Sequence, residues 1–302
     1  MKIARIFPRR TNATPDDELV WALAYDRKGK PIWDSALPPQ LAMPEMDEVH
    51  VSVAFTWDLP IAERLAEAWR VAGVPVLCGG PAFNQPSGEY EPGLYIKHGY
   101  TITSRGCPKG CWFCTVPQRE GNIRELEIHD GWNVLDNNIL ACSDAHVEAV
   151  FQMLDKQPQR ALLTGGLEPS FLRPWHARRL REICAKRMYF AYDTADDLEP
   201  LVEAGKIMRQ EGHRITSHAL CSYVLIGYEG DTFERATKRL TDTVSAGFVP
   251  YAMLFRGEDG ARDPAWGRFQ REWLRPQIVG AKIARTLANT ATADERSLQC
   301  HS

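Results

Sequence analysis

The chain has 302 residues, 44% apolar and 25% charged, and its 36 basic and 39 acidic side chains leave a formal net charge of −3. That composition excludes a disordered or fibrous chain and sets up no global field for a polyanion, so nucleic acid is neither supported nor excluded as a partner. No run approaches the roughly 18–20 apolar residues that span a bilayer, and MKIARIFPRRTN lacks the apolar stretch of a secretory signal, so a cytoplasmic protein without membrane contact is expected.

Strand-like runs open the chain at 2–7 (KIARIF), 49–55 (VHVSVAF) and 74–80 (VPVLCGG). Between the last two, IAERLAEAWRVAG repeats its apolar residues at helical period and stops at Gly73. Strand, helix, strand in that order predicts a small parallel sheet, read as a Rossmann-like α/β domain over 1–95. The Pro- and Gly-containing NQPSGEYEPG, 84–93, reads as its boundary.

From Tyr100 the alternation resumes. Strands are predicted at 100–105, 132–138, 160–166, 187–193, 219–227 and 248–255, with helices at 143–157, 173–186, 196–212 and 231–247. Six strands with intervening helices predict a partial (β/α)6 TIM-like barrel over 96–258, whose chemistry would sit at the carboxyl ends of the strands. The basic run at 173–187 has the spacing of a solvated helix face. Residues 259–302 read as a helical extension interrupted at Pro276, followed by a mobile polar tail from about Thr290.

Three of the eight cysteines, Cys107, Cys111 and Cys114, fall within SRGCPKGCWFC, just after the first barrel strand. In a reducing compartment such a cluster points to metal or redox chemistry rather than disulfides. Cys78, Cys142, Cys184, Cys221 and Cys300 read as small buried hydrophobes or inert thiols. Three thiolates on one short loop can wrap three corners of a cubic iron–sulfur cluster, with Pro108 and Gly110 supplying the turns and the fourth iron left open. A structural zinc site that recruits His129 or Cys142, or three unconnected core cysteines, are the alternatives that spacing leaves open.

The loop, its place after a strand and the alternation that follows resemble the radical S-adenosylmethionine (SAM) superfamily over roughly 96–258. That resemblance implies a [4Fe–4S] cluster on Cys107, Cys111 and Cys114, SAM chelated at the open iron, and its reductive cleavage to a 5′-deoxyadenosyl radical that abstracts hydrogen from a substrate. By the same resemblance Phe113 lies near the adenine, and Asp136, Asn137 and Asn138 of WNVLDNNIL offer polar groups to the SAM amine. LLTGGLEPSFL puts Gly165, Gly166 and Glu168 at the pocket rim; FAYDT puts Tyr192 and Asp193 near the ribose. VLIGYEGDT puts Gly227, Tyr228, Gly230 and Asp231 beneath the adenine, although Glu229 stands where a proline is usual. Each of these stretches also reads as a plain turn or helix entry, with Asp231 or Thr232 as a cap.

The first 95 residues resemble a reduced form of the cobalamin-binding domain found in one branch of that superfamily. The Asp-x-His-x-x-Gly motif is missing, and DAHVEA (144–149) lacks the glycine, so no cobalamin is expected. After the cysteines, Arg119 and Glu120 of VPQREG face the cavity or lock the loop as an ion pair, and Arg256 after the last strand is a candidate for an anionic substrate group. A flavodoxin- or ferredoxin-type donor is implied as the source of electrons. Nucleobase or nucleotide modification is the expected chemistry, with an iron–sulfur structural or electron-transfer role without SAM cleavage as the alternative. A tRNA methylthiotransferase is not expected, since that family's amino-terminal domain supplies three further cysteines and only Cys78 precedes the cluster here.

Overall fold

Helix α1, Leu59–Val71, buries Ala62, Leu65, Ala66 and Trp69, a stripe at i, i+3, i+4 and i+7 that faces one side of a sheet. The computed structural model describes residues 1–38, 46–214 and 218–274, with the single positions 279, 280 and 284. The sheet under α1 joins β1 (Ile3–Phe7), β2 (Val20–Ala22), β5 (Glu48–Ser52) and β6 (Val76–Gly79) in the order β2-β1-β5-β6, with every pairing parallel. Between them β3 (Ala24–Tyr25) and β4 (Pro31–Ile32) form a small antiparallel hairpin. Strand β2 and that hairpin have no counterpart in the predicted pattern, because two or three residues are too few to show a period.

A second sheet carries the rest of the described chain. Its strands are β7 (Tyr100–Thr101), β10 (Asn133–Val134), β11 (Leu162–Leu167), β12 (Arg187–Tyr192), β13 (Leu220–Ile226) and β14 (Val249–Leu254), all parallel and in chain order from β7 at one edge to β14 at the other. Helices α3 (Asp144–Asp155), α4 (Pro174–Glu182), α5 (Leu198–Gln210) and α6 (Phe233–Ala246) connect successive strands, and α7 (Pro264–Leu274) follows the last. The short α2 (Val116–Glu120) closes the cysteine loop. Helix starts follow the usual chemistry: Ser143 Oγ accepts from His146 N at the head of α3 and Thr232 Oγ1 from Arg235 N at the head of α6.

The strand predicted at 100–105 is not continuous. After Thr101 the chain leaves the sheet, and β8 (Ser104–Arg105) pairs antiparallel with β9 (Arg124–Glu125). The Asp136 carboxylate accepts from Thr103 N and Thr103 Oγ1 at 2.6 Å and from Ser104 Oγ at 2.7 Å and ties this segment to the chain just after β10.

Buried apolar side chains fall into two separate clusters, one beneath α1 and one between the second sheet and its helices. In the latter Met188, Phe190 and Tyr192 of β12 and Leu220, Val224 and Ile226 of β13 face the helices. Period two then turns Tyr189, Ala191 and Asp193 to the other face. The basic run of α4 is paired with its neighbours: Arg179 Nε donates to Glu148 at 3.0 Å, Arg178 reaches Glu211 at 3.3 Å, and Arg173 binds Asp144. Pro276 and the tail from Thr290 lie outside the described residues. No described helix is long and apolar enough to cross a membrane.

Candidate functional site

The cysteine loop hangs from the carboxyl ends of the second sheet by main-chain and side-chain bonds. Gly106 begins it with φ +90°, and a Cβ there would run into the Asn122 carbonyl; its N–H donates to Asn137 Oδ1 at 3.0 Å. Gly106, not Gly110, is the glycine the turn requires, since Gly110 has ordinary φ and open space around it. Cys107 N donates to Gly121 O at 3.2 Å and Cys114 N to Cys111 O at 3.0 Å, which folds the loop back on itself. Burial pushes the Cys111 thiol up to about 11 and also raises that of Cys114; Cys111 senses Cys114 and Cys114 senses Cys107. Among the described residues no three His, Cys, Asp or Glu side chains converge as ligands of one ion do.

Three consecutive polar residues shortly after β10, at 136–138, divide the work. Asp136 is 1% exposed and holds Thr103 and Ser104; burial raises its pKa against those donors. Expected to face an amine, it instead staples two strand ends. Asn137 holds Gly106. Asn138, 2% exposed, donates from Nδ2 to Cys107 Sγ at 3.5 Å, and its Oδ1 is buried with no hydrogen-bond partner. An amide oxygen in that position is an acceptor awaiting a donor.

Across the sheet, Gly165 is pressed against the backbone of Leu135 and Asp136, where a Cβ would clash, whereas Gly166 has φ +110° and open space. Glu168 uses both oxygens: Oε1 accepts from Ser170 Oγ at 2.8 Å and Oε2 from Lys109 Nζ at 2.8 Å. Lys109 also donates to Asp197 Oδ1 at 2.6 Å, so the cysteine loop is tied to the segments after β11 and β12. Neither Lys109 nor Asp197 stands out in the sequence, because their partners lie 59 and 88 residues apart. Burial would raise Asp197, but the Lys109 ammonium and the N–H groups of Thr194 and Asp193 hold it below its ordinary value. Asp193 lacks such an ammonium contact; burial, then Asp197 and Glu168, push it up to about 7.

Tyr192 does not join this site. It is 2% exposed in the core on the helix side of β12, and burial pushes its phenol up to about 12. The alternation of the strand places Asp193 on the opposite face, so the two cannot line one pocket together.

Arg119 and Glu120 form the ion pair of a clamp. Arg119 Nε meets Glu120 Oε1 at 3.0 Å, and the Glu120 carboxylate, closed to solvent, also accepts from Ser87 Oγ at 2.7 Å and Ser87 N at 3.1 Å. The predicted boundary segment is thereby fastened to α2. Gly227, with φ +73°, donates to Asp231 Oδ2 at 2.8 Å, and Arg239 donates to the same oxygen at 2.7 Å, while Asp231 Oδ1 is buried with no hydrogen-bond partner among the described residues. Trp112, 59% exposed, meets Phe113 at 5.4 Å, Tyr228 at 5.5 Å and Phe255 at 5.7 Å between ring centroids, so the cysteine loop and the ends of β13 and β14 share one aromatic cluster. Arg256 is exposed, with its guanidinium 5.4 Å from the Trp57 ring centroid.

The other cysteines divide by environment. Cys142 and Cys221 are buried, and burial pushes their thiols up to about 12 and about 11, as inert thiols require. Cys78 and Cys184 are exposed, contrary to the expectation of burial, and Cys300 lies outside the described residues. His129 packs edge-on against Tyr90, and His146 lies within α3 with Nδ1 3.8 Å from Glu125.

No family profile and no curated protein matches the chain. Among solved structures its fold is similar to that of coproporphyrinogen III oxidase (HemN) from Escherichia coli, described as a radical SAM enzyme, at 13% identity and a TM-score of 0.36. The match covers 71% of this chain and 56% of that one, so the chain spans little more than half the length of that enzyme.

Proposed function

We propose that this chain is a radical SAM enzyme, with a partial (β/α)6 barrel over 96–258, a small Rossmann-like domain over 1–95 and a helical extension over 259–302. The observation that carries the reading is local: Asn138 bonds Cys107 Sγ through Nδ2 and leaves Oδ1 buried and unpaired beside the cysteine loop. Cysteines at 107, 111 and 114 suit the thiolate donors of a [4Fe–4S] cluster, and an orphan acceptor beside them suits the amine of a chelated SAM. When bound, that pair supplies a 5′-deoxyadenosyl radical for hydrogen abstraction.

The chain's own residues bind, orient and enclose. Cys107, Cys111 and Cys114 hold the cluster, Asn138 accepts from the SAM amine, and the open space at Gly166 lets the ligand approach the backbone. Asp193 accepts from the vicinal hydroxyls of the ribose. Lys109 keeps the loop seated over Glu168 and Asp197, while Phe113 and Tyr228 flank Trp112 as the apolar wall for the adenine. Asp136, Asn137, Gly165 and Glu168 position these groups. Electrons come from a flavodoxin- or ferredoxin-type protein of the cytoplasm, no cobalamin takes part, and the substrate is a nucleobase or nucleotide.

The test is formation of 5′-deoxyadenosine by anoxically reconstituted, dithionite-reduced protein given SAM. Production above that of a C107S/C111S/C114S variant is expected, with about four irons per chain in the wild type. Equal background in both would leave an iron–sulfur protein without SAM cleavage, and tetrahedral zinc in place of iron would overturn the reading altogether.

A further inference from the structure

The aromatic cluster on Trp112 leads away from the cysteine loop through Phe255 to Arg256, and from there to the carboxyl edge of the first sheet. The loop after β14 lies on Trp57: a Cβ at Gly260 would sit 2.5 Å from its Cγ, and Thr56 Oγ1 donates to Glu258 O at 2.9 Å. Trp57 and Phe55 stack at 4.7 Å with only 6° between their planes, and both are half-buried. Arg256 stands beside this pair and, among the described residues, donates no hydrogen bond and meets no carboxylate.

The charge around it is lopsided. Burial lowers the Arg256 pKa, as do Arg262 and Arg9, against Asp58 alone. Asp58 is already held by Arg9 Nε at 2.9 Å and Nη2 at 2.7 Å, and Arg262 donates to the uncharged Gln270 at 3.0 Å. Both aspartates of the same loop turn to their own backbone: Asp259 accepts from Ala261 N and Asp263 from Ala265 N and Trp266 N, and the exposed Glu258 makes no ion pair with Arg256. Three guanidiniums with one committed carboxylate make a place for a doubly charged anion, and a planar ring pair at its side makes a place for a flat heterocycle.

We propose that Arg256, supported by Arg262 and the Arg9–Asp58 pair, binds the phosphate of a small nucleotide-like substrate whose ring packs on the Phe55–Trp57 stack. Its chemistry rests on the radical SAM reading, because it assigns the substrate of that same enzyme; its binding does not. The site joins both sheets at their carboxyl edges, and Phe255 links it to Trp112 of the cysteine loop.

Calorimetric titration of the full-length reconstituted protein with guanosine 5′-monophosphate, guanosine and inorganic phosphate tests it. The monophosphate should bind at least about tenfold tighter than guanosine; Arg256→Gln should erase that margin without changing guanosine binding, and Arg256→Lys should restore part of it. Trp57→Ala should weaken nucleotide and nucleoside alike. Equal affinity for the two, no binding of either, or an Arg256→Gln protein that binds like wild type overturns the proposal, as does an oligonucleotide that binds with length-dependent affinity while the monophosphate does not. Assay of 5′-deoxyadenosine on the same preparation separates the two readings. Arg256-dependent binding without 5′-deoxyadenosine sinks the radical SAM reading alone, and 5′-deoxyadenosine with Arg256-indifferent binding sinks this one alone.

Discussion

Lys109 Nζ lies 2.6 Å from Asp197 Oδ1, and the same ammonium meets Glu168 at 2.8 Å, so one side chain of the cysteine loop closes onto the ends of two strands. Both carboxylates are 7% exposed and Lys109 is 31% exposed. Lys109→Met leaves two buried acids without their cation and should lower unfolding free energy by about 1–3 kcal/mol, measured by urea denaturation. Adding Glu168→Gln should recover part of that loss. An additive double variant would mean that the three groups do not act as a unit.

Asn138→Ala removes the unpaired acceptor while leaving all three cysteines. Iron content should stay at the wild-type level, and SAM affinity should fall about 3- to 10-fold, the cost of one neutral hydrogen bond. Equilibrium dialysis with labelled SAM, beside an iron assay, checks both. Unchanged affinity would remove Asn138 from the binding role.

Gly106→Ala imposes a side chain at φ +90° against the Asn122 carbonyl. The backbone conformation alone costs about 1–3 kcal/mol for a non-glycine residue, and relief of the clash must shift the loop. Lower thermal stability and substoichiometric iron after reconstitution are expected, whereas Gly110→Ala should retain both.

His176 is fully buried, its Nδ1 accepts from Arg173 N at 3.1 Å, and its pKa is pushed down to about 4 by burial and then by Arg173. The unfolded chain binds this proton near pH 6.5 and the folded chain does not, so its stabilising contribution is complete above pH 6.5 and is lost as pH falls toward 4. The difference in melting temperature between wild type and His176→Gln should shrink over that interval. A difference independent of pH would mean that the ring titrates normally.

Much of this arrangement is legible in the chain. The helices after β10 to β13 and four of the six strands of the second sheet follow from apolar period and caps, since local pattern and burial agree there. The cysteine spacing and the DNN, GGLE and YD stretches all occur at strand ends. What local pattern does not carry is the assignment of roles. Asp136 and Asn138 are two residues apart, yet one is consumed by Thr103 and Ser104 and the other keeps a vacant oxygen, a division decided by segments about 30 residues away. Tyr192 and Asp193 read alike in sequence, and only strand alternation against the helices sends the tyrosine into the core. Lys109 sits between two cysteines and attracts no notice until distant acids arrive beside it.

Thr56 and Glu258 are 202 residues apart and joined by one hydrogen bond, and Trp57 forms the surface on which the Gly260 turn rests. Deleting the first 95 residues would therefore not leave the second sheet as it stands in the whole chain. It would strip Thr56 and Trp57 from the last loop and leave the Glu120 carboxylate without Ser87, so two ends of the second sheet would lose polar and apolar backing together.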